Sequence, residues 1–344
     1  MAERVLVSGA TGFIASHIVK LLLERGYEVR GTVRDPGKAA AVGFLKALPG
    51  AERLELVAAD LNDAGAFDAY TADVDYIIHA ASPYVLTVKD PQRDLVDPAV
   101  KGTLSMLEAA AASARVKRVI QTSSMAAVTD EPDGRVLTEE DWNDKSTLTR
   151  NAYSFSKAEA ERAAWAFMEK REPGFELMVI NPFMVVGPAL NDAINTSNQI
   201  FVDMAKGAYP AIMALEWGFV DVRDVAEAHV RAMTAPEAKG RYICAAGNMD
   251  MAGVATALRT AGVAGKIPSM DLSGGFGTAL MKLASRFQPQ GVGSYLRTHL
   301  GRVPRFSNAK IKRDLGLEFR DVAATLRDTA HDLIKWNHVK GNAQ

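Results

Sequence analysis

Residues 5 to 15, Val5-Leu6-Val7-Ser8-Gly9-Ala10-Thr11-Gly12-Phe13-Ile14-Ala15, constrain this chain more than any other stretch. An apolar run stops at a glycine-rich turn, and an apolar-periodic segment over 13–25 follows at once. That order predicts strand, tight turn, helix. The amino end of a helix carries partial positive charge and unpaired backbone N–H groups, so it can hold a pyrophosphate. Gly9 permits the turn, Gly12 lets the backbone approach the phosphates, and Ala15 fills the third small position where helix packs on strand. A glycine pattern alone is a weak signal; the strand before it and the helix after it give it meaning.

The same alternation continues downstream. Near-continuous apolar runs at 4–8, 27–33, 54–59, 74–80, 117–122 and 176–181 predict buried parallel strands. Helical patterns at 13–25, 37–48, 63–69, 94–115 and 151–171 lie between them. Repeated β–α units of this kind predict an α/β fold, a doubly wound parallel sheet of Rossmann type. After Asn181-Pro182 the rhythm changes to helical segments at 193–206, 225–234, 251–261, 276–287 and 322–339, with short strands at 218–222 and 241–244. The expected organisation is a dinucleotide-binding unit over 1–182 and a smaller, mostly helical substrate lobe over 183–344. The chain is expected to return to the sheet between 219 and 245. The glycine- and proline-containing stretch 268–304 reads as a flap or substrate cover.

Composition narrows the class. The formal net charge of 344 residues is -1, so no global field favours nucleic acid or an anionic membrane. One cysteine, Cys244, allows no intrachain disulfide and fits a buried thiol in a reducing compartment. Met1-Ala2-Glu3-Arg4 runs straight into the first strand, so no signal peptide is expected, and no apolar stretch is long enough to span a bilayer. A cytoplasmic enzyme is the expectation. The histidines, including His17, show neither the spacing nor the cysteine partners of a zinc site, so no metal is expected. Asp221 and Asp224 read as helix capping, with Asp224 the favoured cap.

Two further motifs carry chemistry. Thr122-Ser123-Ser124 ends the fifth predicted strand, and Tyr153-Ser154-Phe155-Ser156-Lys157 opens the helix that follows. Tyrosine and lysine four residues apart share one helix face. An ammonium beside a phenol favours phenolate and brings a group with pKa near ~10 toward working pH. Tyr153 so tuned is a general acid for a carbonyl oxygen, and the Ser124 hydroxyl at the strand end can hold that same oxygen.

Together, Gly9-Ala10-Thr11-Gly12-Phe13-Ile14-Ala15, Thr122-Ser123-Ser124, Tyr153-x-x-x-Lys157 and Asn181-Pro182…Gly187-Pro188 resemble the extended short-chain dehydrogenases/reductases. Gly31-Thr32-Val33-Arg34-Asp35, Ala163-Ala164-Trp165 and Gly240-Arg241-Tyr242-Ile243-Cys244 resemble the dihydroflavonol-4-reductase-like group within them. That group includes plant flavonoid and cinnamoyl-CoA reductases and microbial carbonyl and aldehyde reductases. The resemblance implies that Ser124 polarises the carbonyl, Tyr153 donates the proton, and Lys157 holds the nicotinamide ribose and lowers the tyrosine's pKa. It also implies cofactor contacts at Gly9, Thr11, Gly12, Phe13 and Ile14, and at Asp60 and Leu61 beside adenine. Others fall at Ala80, Ala81, Ser82 and Thr122, and at Pro182 and Val185 beside the nicotinamide.

The second predicted strand ends in Thr32-Val33-Arg34 instead of the acidic residue that holds an NAD ribose. A permanently charged, forked guanidinium suits a 2′-phosphate, and Lys38 stands ready to join it. NADP is therefore expected over NAD, with Asp35 as the competing ribose ligand. Plant flavonoid reductases carry an asparagine five residues after the serine; Thr129 stands here, so a flavonoid is not the expected substrate. Nucleotide-sugar epimerases carry an arginine where Leu215-Glu216-Trp217 stands. The expected reaction is NADPH-dependent reduction of an apolar aldehyde or ketone. The alternatives are a nucleotide-sugar epimerase or dehydratase, an oxidative hydroxysteroid-type dehydrogenase, and a dinucleotide sensor without turnover. Expected pocket walls are Pro83-Tyr84-Val85 and segments 125–129, 183–186, 195–204 and 212–217, with Met125, Phe183, Val185 and Trp217 prominent. A homodimer through helices 94–115 and 151–171 is a further expectation, with Val96, Val100, Leu104 and Leu107 at helical spacing.

Overall fold

A computed structural model describes residues 2–61, 63, 65–82 and 88–342. Apart from two-residue strands at Val263–Ala264, Asp271–Leu272 and Lys340–Gly341, the strands in chain order are β1 (Arg4–Ser8), β2 (Glu28–Val33), β3 (Leu54–Ala58), β4 (Tyr76–His79), β5 (Arg118–Thr122), β6 (Glu176–Pro182), β7 (Met184–Val186), β8 (Ile212–Met213), β9 (Glu216–Asp221), β10 (Gly240–Cys244) and β11 (Gly247–Asp250). The helices are α1 (Phe13–Glu24), α2 (Ala39–Lys46), α3 (Asp97–Ala111), α4 (Ala152–Arg171), α5 (Thr196–Lys206), α6 (Val222–Thr234), α7 (Met251–Thr260), α8 (Gly275–Ala284), α9 (Gln290–His299), α10 (Ala309–Leu315) and α11 (Val322–Lys335).

Seven strands form one parallel sheet in the order β10-β6-β5-β4-β1-β2-β3. The period of two along each strand sorts side chains to opposite faces. Val5, Val7, Ile78, Ile120 and Ile180 pack with α1, α2 and α6. Leu6, Ile77, Val119 and Val179 pack with α3 and α4 on the other side. Both faces are thus covered, which is why the strands read as unbroken apolar runs. Strand order reverses between β1 and β4, so a crevice opens beyond their carboxyl ends. Gly31 in β2 is required by packing: a Cβ there would meet the Ala10 Cβ at 2.8 Å and Leu56 at 3.0 Å.

The second half builds a separate core. Strands β11-β9-β7 form a small sheet, and Trp217 and Phe219 of β9 pack with Phe201 of α5, Val254 of α7 and Leu326 and Leu333 of α11. The chain returns to the main sheet through β10, paired with β6, and through α6, whose Val225 and Ala226 join the α1 core. Segment 268–304 contains α8 and α9, of which only the first was legible as a helix. Helix α8 turns Phe276, Leu280 and Leu283 to solvent.

Other differences are local. Among the described residues of the predicted helix at 63–69 none is α-helical; a single 3-10 turn, Asp68–Tyr70, stands at its end. The helix predicted over 94–115 is α3, shorter at both ends and preceded by a π turn at Gln92–Val96. Asp221, not Asp224, caps α6, accepting a hydrogen bond from the Arg223 amide at 2.8 Å. Asp224 instead accepts from the Arg320 amide and pairs with its guanidinium. Cys244 is fully buried, and burial raises its thiol pKa.

Candidate active site

The dinucleotide turn is built from backbone. Gly9 sits at φ +66°, where a side chain is strained, and a Cβ there would also touch the Ala81 Cβ at 3.0 Å. Two contacts with β2 fix the turn: Gly9 N–H donates to Thr32 Oγ1 at 3.1 Å, and Ala10 N–H to the Thr32 carbonyl at 2.9 Å. Gly12 is the N-cap of α1, with no side-chain cap and no acidic residue in the first turn. The first amides of α1 are therefore left for an external anion. Thr11, Phe13 and Ile14 flank this opening, with Phe13 edge-on to His17. His17 is packed: its Nε2 lies 2.9 Å from the Pro188 carbonyl, and burial pushes its pKa down to about 4.

Opposite this turn, Ala80, Ala81 and Ser82 follow β4. The Ala81 amide donates to Ser8 Oγ at 3.0 Å, and Ser8 Oγ lies 2.9 Å from His79 Nδ1. This pair fixes the two strand ends that flank the crevice, and neither residue was singled out from sequence. The available signal was a polar residue closing each of two adjacent apolar strands. Small side chains, a glycine turn and an uncapped helix end together fit a pyrophosphate and its riboses.

At the adenine end, Arg34 and Lys38 are exposed, and among the described residues neither makes an ion pair or side-chain hydrogen bond. Asp35 is engaged locally, its Oδ1 accepting from the Gly37 amide at 2.8 Å. Two cations therefore stay available for a 2′-phosphate, while the competing carboxylate closes a turn. Asp60 and Leu61 follow β3, and Leu61 packs against α3, where a Cβ on Gly102 would meet it at 2.9 Å.

The residues expected to carry the chemistry come from α4 and the end of β5. Asn151, at φ +51°, turns the chain into α4, and its Nδ2 donates to Asp130 Oδ1 at 2.7 Å. Tyr153 and Lys157 lie on one face of α4, with the lysine Nζ 5.6 Å from the tyrosine ring centre. Lys157 donates to Ser82 Oγ at 2.6 Å, so it joins α4 to the crevice beyond β4. It is buried, and desolvation lowers its pKa to about 8. It lines a small polar cavity with His79, Ser82, Gln121 and Thr122. Ser124 caps a 3-10 turn, accepting from the Ala126 amide at 3.1 Å. The Thr122 hydroxyl is committed to His229 Nε2 at 2.8 Å, while His229 Nδ1 lies 2.7 Å from the Val225 carbonyl. A carbonyl only accepts, so Nδ1 carries the proton; burial keeps this histidine neutral, its pKa down at about 4.

Pro182 ends β6 and Val185 is buried in β7. Of the expected pocket walls, Met125 packs with Phe183 and Phe306. Trp217 is a correction: it is only 4% exposed, lies in the core of the second lobe, and donates to the Tyr295 hydroxyl at 2.9 Å. Thr129 turns its hydroxyl to the Glu131 carbonyl at 2.8 Å. Pro83, Tyr84 and Val85 lie outside the described residues.

An uncapped glycine turn at a sheet's switch point, with a half-buried tyrosine and a buried lysine across the crevice, defines a nicotinamide-dinucleotide enzyme of the extended short-chain type. The model of the NAD dependent epimerase/dehydratase family matches residues 5–245, and the chain belongs to that family. Among its relatives, cinnamoyl-CoA reductase 1 of Arabidopsis thaliana is 37% identical, covering 98% of this chain and 91% of that protein. The ketoreductase azaE of Aspergillus niger is 34% identical, over 97% of this chain and 98% of its own. Yeast methylglyoxal/isovaleraldehyde reductase Gre2, solved with NADPH, superposes with a TM-score of 0.79 at 32% identity, over 97% and 99% of the two chains.

Proposed function

We propose that this protein is an NADPH-dependent carbonyl reductase that converts an apolar aldehyde or ketone into the alcohol. The observation that carries the reading is the buried Lys157, held on Ser82 and facing Tyr153 on the adjoining turn of α4. When bound, the nicotinamide supplies hydride. The protein does the rest: Ser124 steadies the substrate oxygen, Tyr153 gives it a proton, and Lys157 keeps the phenol acidic. The full-length likeness to a cinnamoyl-CoA reductase and to an NADPH-bound aldehyde reductase favours this over a nucleotide-sugar epimerase. So does Leu215-Glu216-Trp217, an apolar and acidic stretch where an epimerase needs a diphosphate clamp. Residues 183–344 supply the substrate lobe, apart from the α6, β10 and α10 segments that serve the dinucleotide half. A cytoplasmic homodimer through α3 and α4 belongs to the same reading; one 37.0 kDa species in light scattering at micromolar concentration would remove the dimer.

Substrate class is tested with a homologous series of ketones, a UDP-hexose and a dihydroflavonol, all with NADPH. Each added buried methylene is expected to favour kcat/KM by about 0.8 kcal/mol until the pocket is full. Dihydroflavonols should be poor substrates, since Thr129 spends its hydroxyl on Glu131. Turnover of the sugar nucleotide alone would move the chain to the epimerase branch.

Cofactor choice is tested at Arg34. Arg34→Ala is expected to weaken NADPH use by on the order of 2 kcal/mol, the range of a charge-assisted hydrogen bond, and to leave NADH use nearly unchanged. Faster wild-type turnover with NADH than with NADPH would return the ribose to Asp35.

A further inference from the structure

Helix α4 carries a third polar residue in register with Tyr153 and Lys157. Glu161 lies one turn beyond the lysine and is fully buried. Its carboxylate is surrounded by donors. Oε2 accepts from Ser123 Oγ at 2.5 Å and Asn181 Nδ2 at 2.7 Å. Oε1 accepts from Arg241 Nε at 2.5 Å and from Trp165 Nε1 at 3.4 Å. Asn181 Nδ2 also reaches the Ser124 carbonyl at 3.2 Å. Glu161 therefore grips the residue before Ser124 directly and Ser124 itself through Asn181.

Arg241 extends the grip outward. Its guanidinium stacks on Trp142, 3.8 Å from the ring centre. Nη1 donates to the carbonyls of Glu139 at 2.9 Å and Asp141 at 2.6 Å. These belong to the loop that leaves Ser124, passes Met125 and Thr129, and returns to α4. A buried ion pair adds little stability over a well-packed apolar pair. Its presence directly behind the serine calls for another role.

We propose that Glu161 and Arg241 are positioning residues for the carbonyl-reduction step, tying Ser124 and the loop 125–143 to the helix that carries Tyr153 and Lys157. The serine comes from a strand end and the tyrosine from a helix, and the ion pair fixes their separation. Loosening it moves Ser124 relative to Tyr153, while the cofactor crevice keeps the bonds that build it, Gly9 to Thr32 and Ala81 to Ser8. A misplacement near 1 Å costs up to roughly a hundredfold in rate.

The inference rests on the reductase reading, so wild-type protein is first assayed with NADPH and isovaleraldehyde. No turnover of this or any other carbonyl in a panel overturns the reading itself. With turnover in hand, Ser123→Ala removes one hydroxyl from the network. A kcat lower by about fivefold to tenfold is expected, with NADPH affinity by fluorescence and Tm close to wild type. A neutral replacement of the pair, Glu161→Leu with Arg241→Met, is the second arm. Recovered Tm relative to either single variant, with kcat still down about tenfold or more, supports positioning. Wild-type kcat in Ser123→Ala, or in the folded double variant, shows the pair to be structural only and overturns the proposal. If the double variant does not fold, Ser123→Ala decides alone.

Discussion

Tyr153→Phe is expected to lower carbonyl turnover by roughly 10²–10⁴, the usual worth of a positioned general acid. The change removes one oxygen from a half-buried ring in the first turn of α4. The helical turn is set by Asn151 and by backbone hydrogen bonds such as Phe155 N–H to the Asn151 carbonyl at 3.1 Å, which the substitution leaves in place. The cofactor crevice also stays whole, because Gly9, the amino end of α1 and Ala81 are held by Thr32 and Ser8. NADPH affinity and Tm should therefore stay near wild type while kcat falls. A phenylalanine variant with near-normal turnover would sink the proton-donor assignment.

Lys157→Met is expected to do more damage, lowering turnover by on the order of 10² or beyond and weakening NADPH binding as well. The ammonium is buried, donates to Ser82, and faces the tyrosine ring, so one substitution strips both the crevice and the acid. The pH dependence follows from burial. Desolvation disfavours the charged lysine and brings its pKa from 10.5 down to about 8. In the cofactor-free enzyme the ammonium is present below about pH 8 and lost above it. The kcat/KM profile of wild type should accordingly fall as pH rises through that value. Stability carries the opposite slope. Between about pH 8 and 10.5 the unfolded chain keeps a proton that the folded one has released, so this residue's contribution makes the fold more stable as pH rises. Below pH 8 the buried charge is a standing cost, and Lys157→Met should raise the apoprotein's Tm at pH 7 while ruining activity. A variant with lower Tm and an unshifted pH profile would contradict the burial argument.

Much of this architecture was legible because it is written in local periodicity. The apolar run 4–8 and the glycines after it reproduce β1 and the start of α1 to the residue. The parallel order β3-β2-β1-β4-β5-β6 follows from repeated β–α units, since right-handed crossovers leave few other arrangements. What escaped depends on long-range contact. Trp217 read as a pocket wall because an aromatic beside an apolar strand looks the same in a pocket or a core until its neighbours are known. The Asp221 cap was displaced to Asp224 because either carboxylate suits the start of α6, and only the Arg320 pairing separates their roles. Glu161 and Arg241 were missed because they meet from opposite ends of the fold. A trace was present all the same: a guanidinium stands inside an apolar strand, Arg241-Tyr242-Ile243-Cys244, and must find an anion.

The return of the chain to its first sheet has a consequence for synthesis. When residues 1–182 have left the ribosome, β6 is still an open edge and α1 lacks the α6 side chains that cover it. The nucleotide half cannot close until translation has passed residue 244, by which point the small sheet of the second half is already emerging. A nascent chain stalled near residue 182 should stay protease-sensitive and one stalled well past residue 244 should not, and the two halves cannot be exchanged between relatives as independent modules.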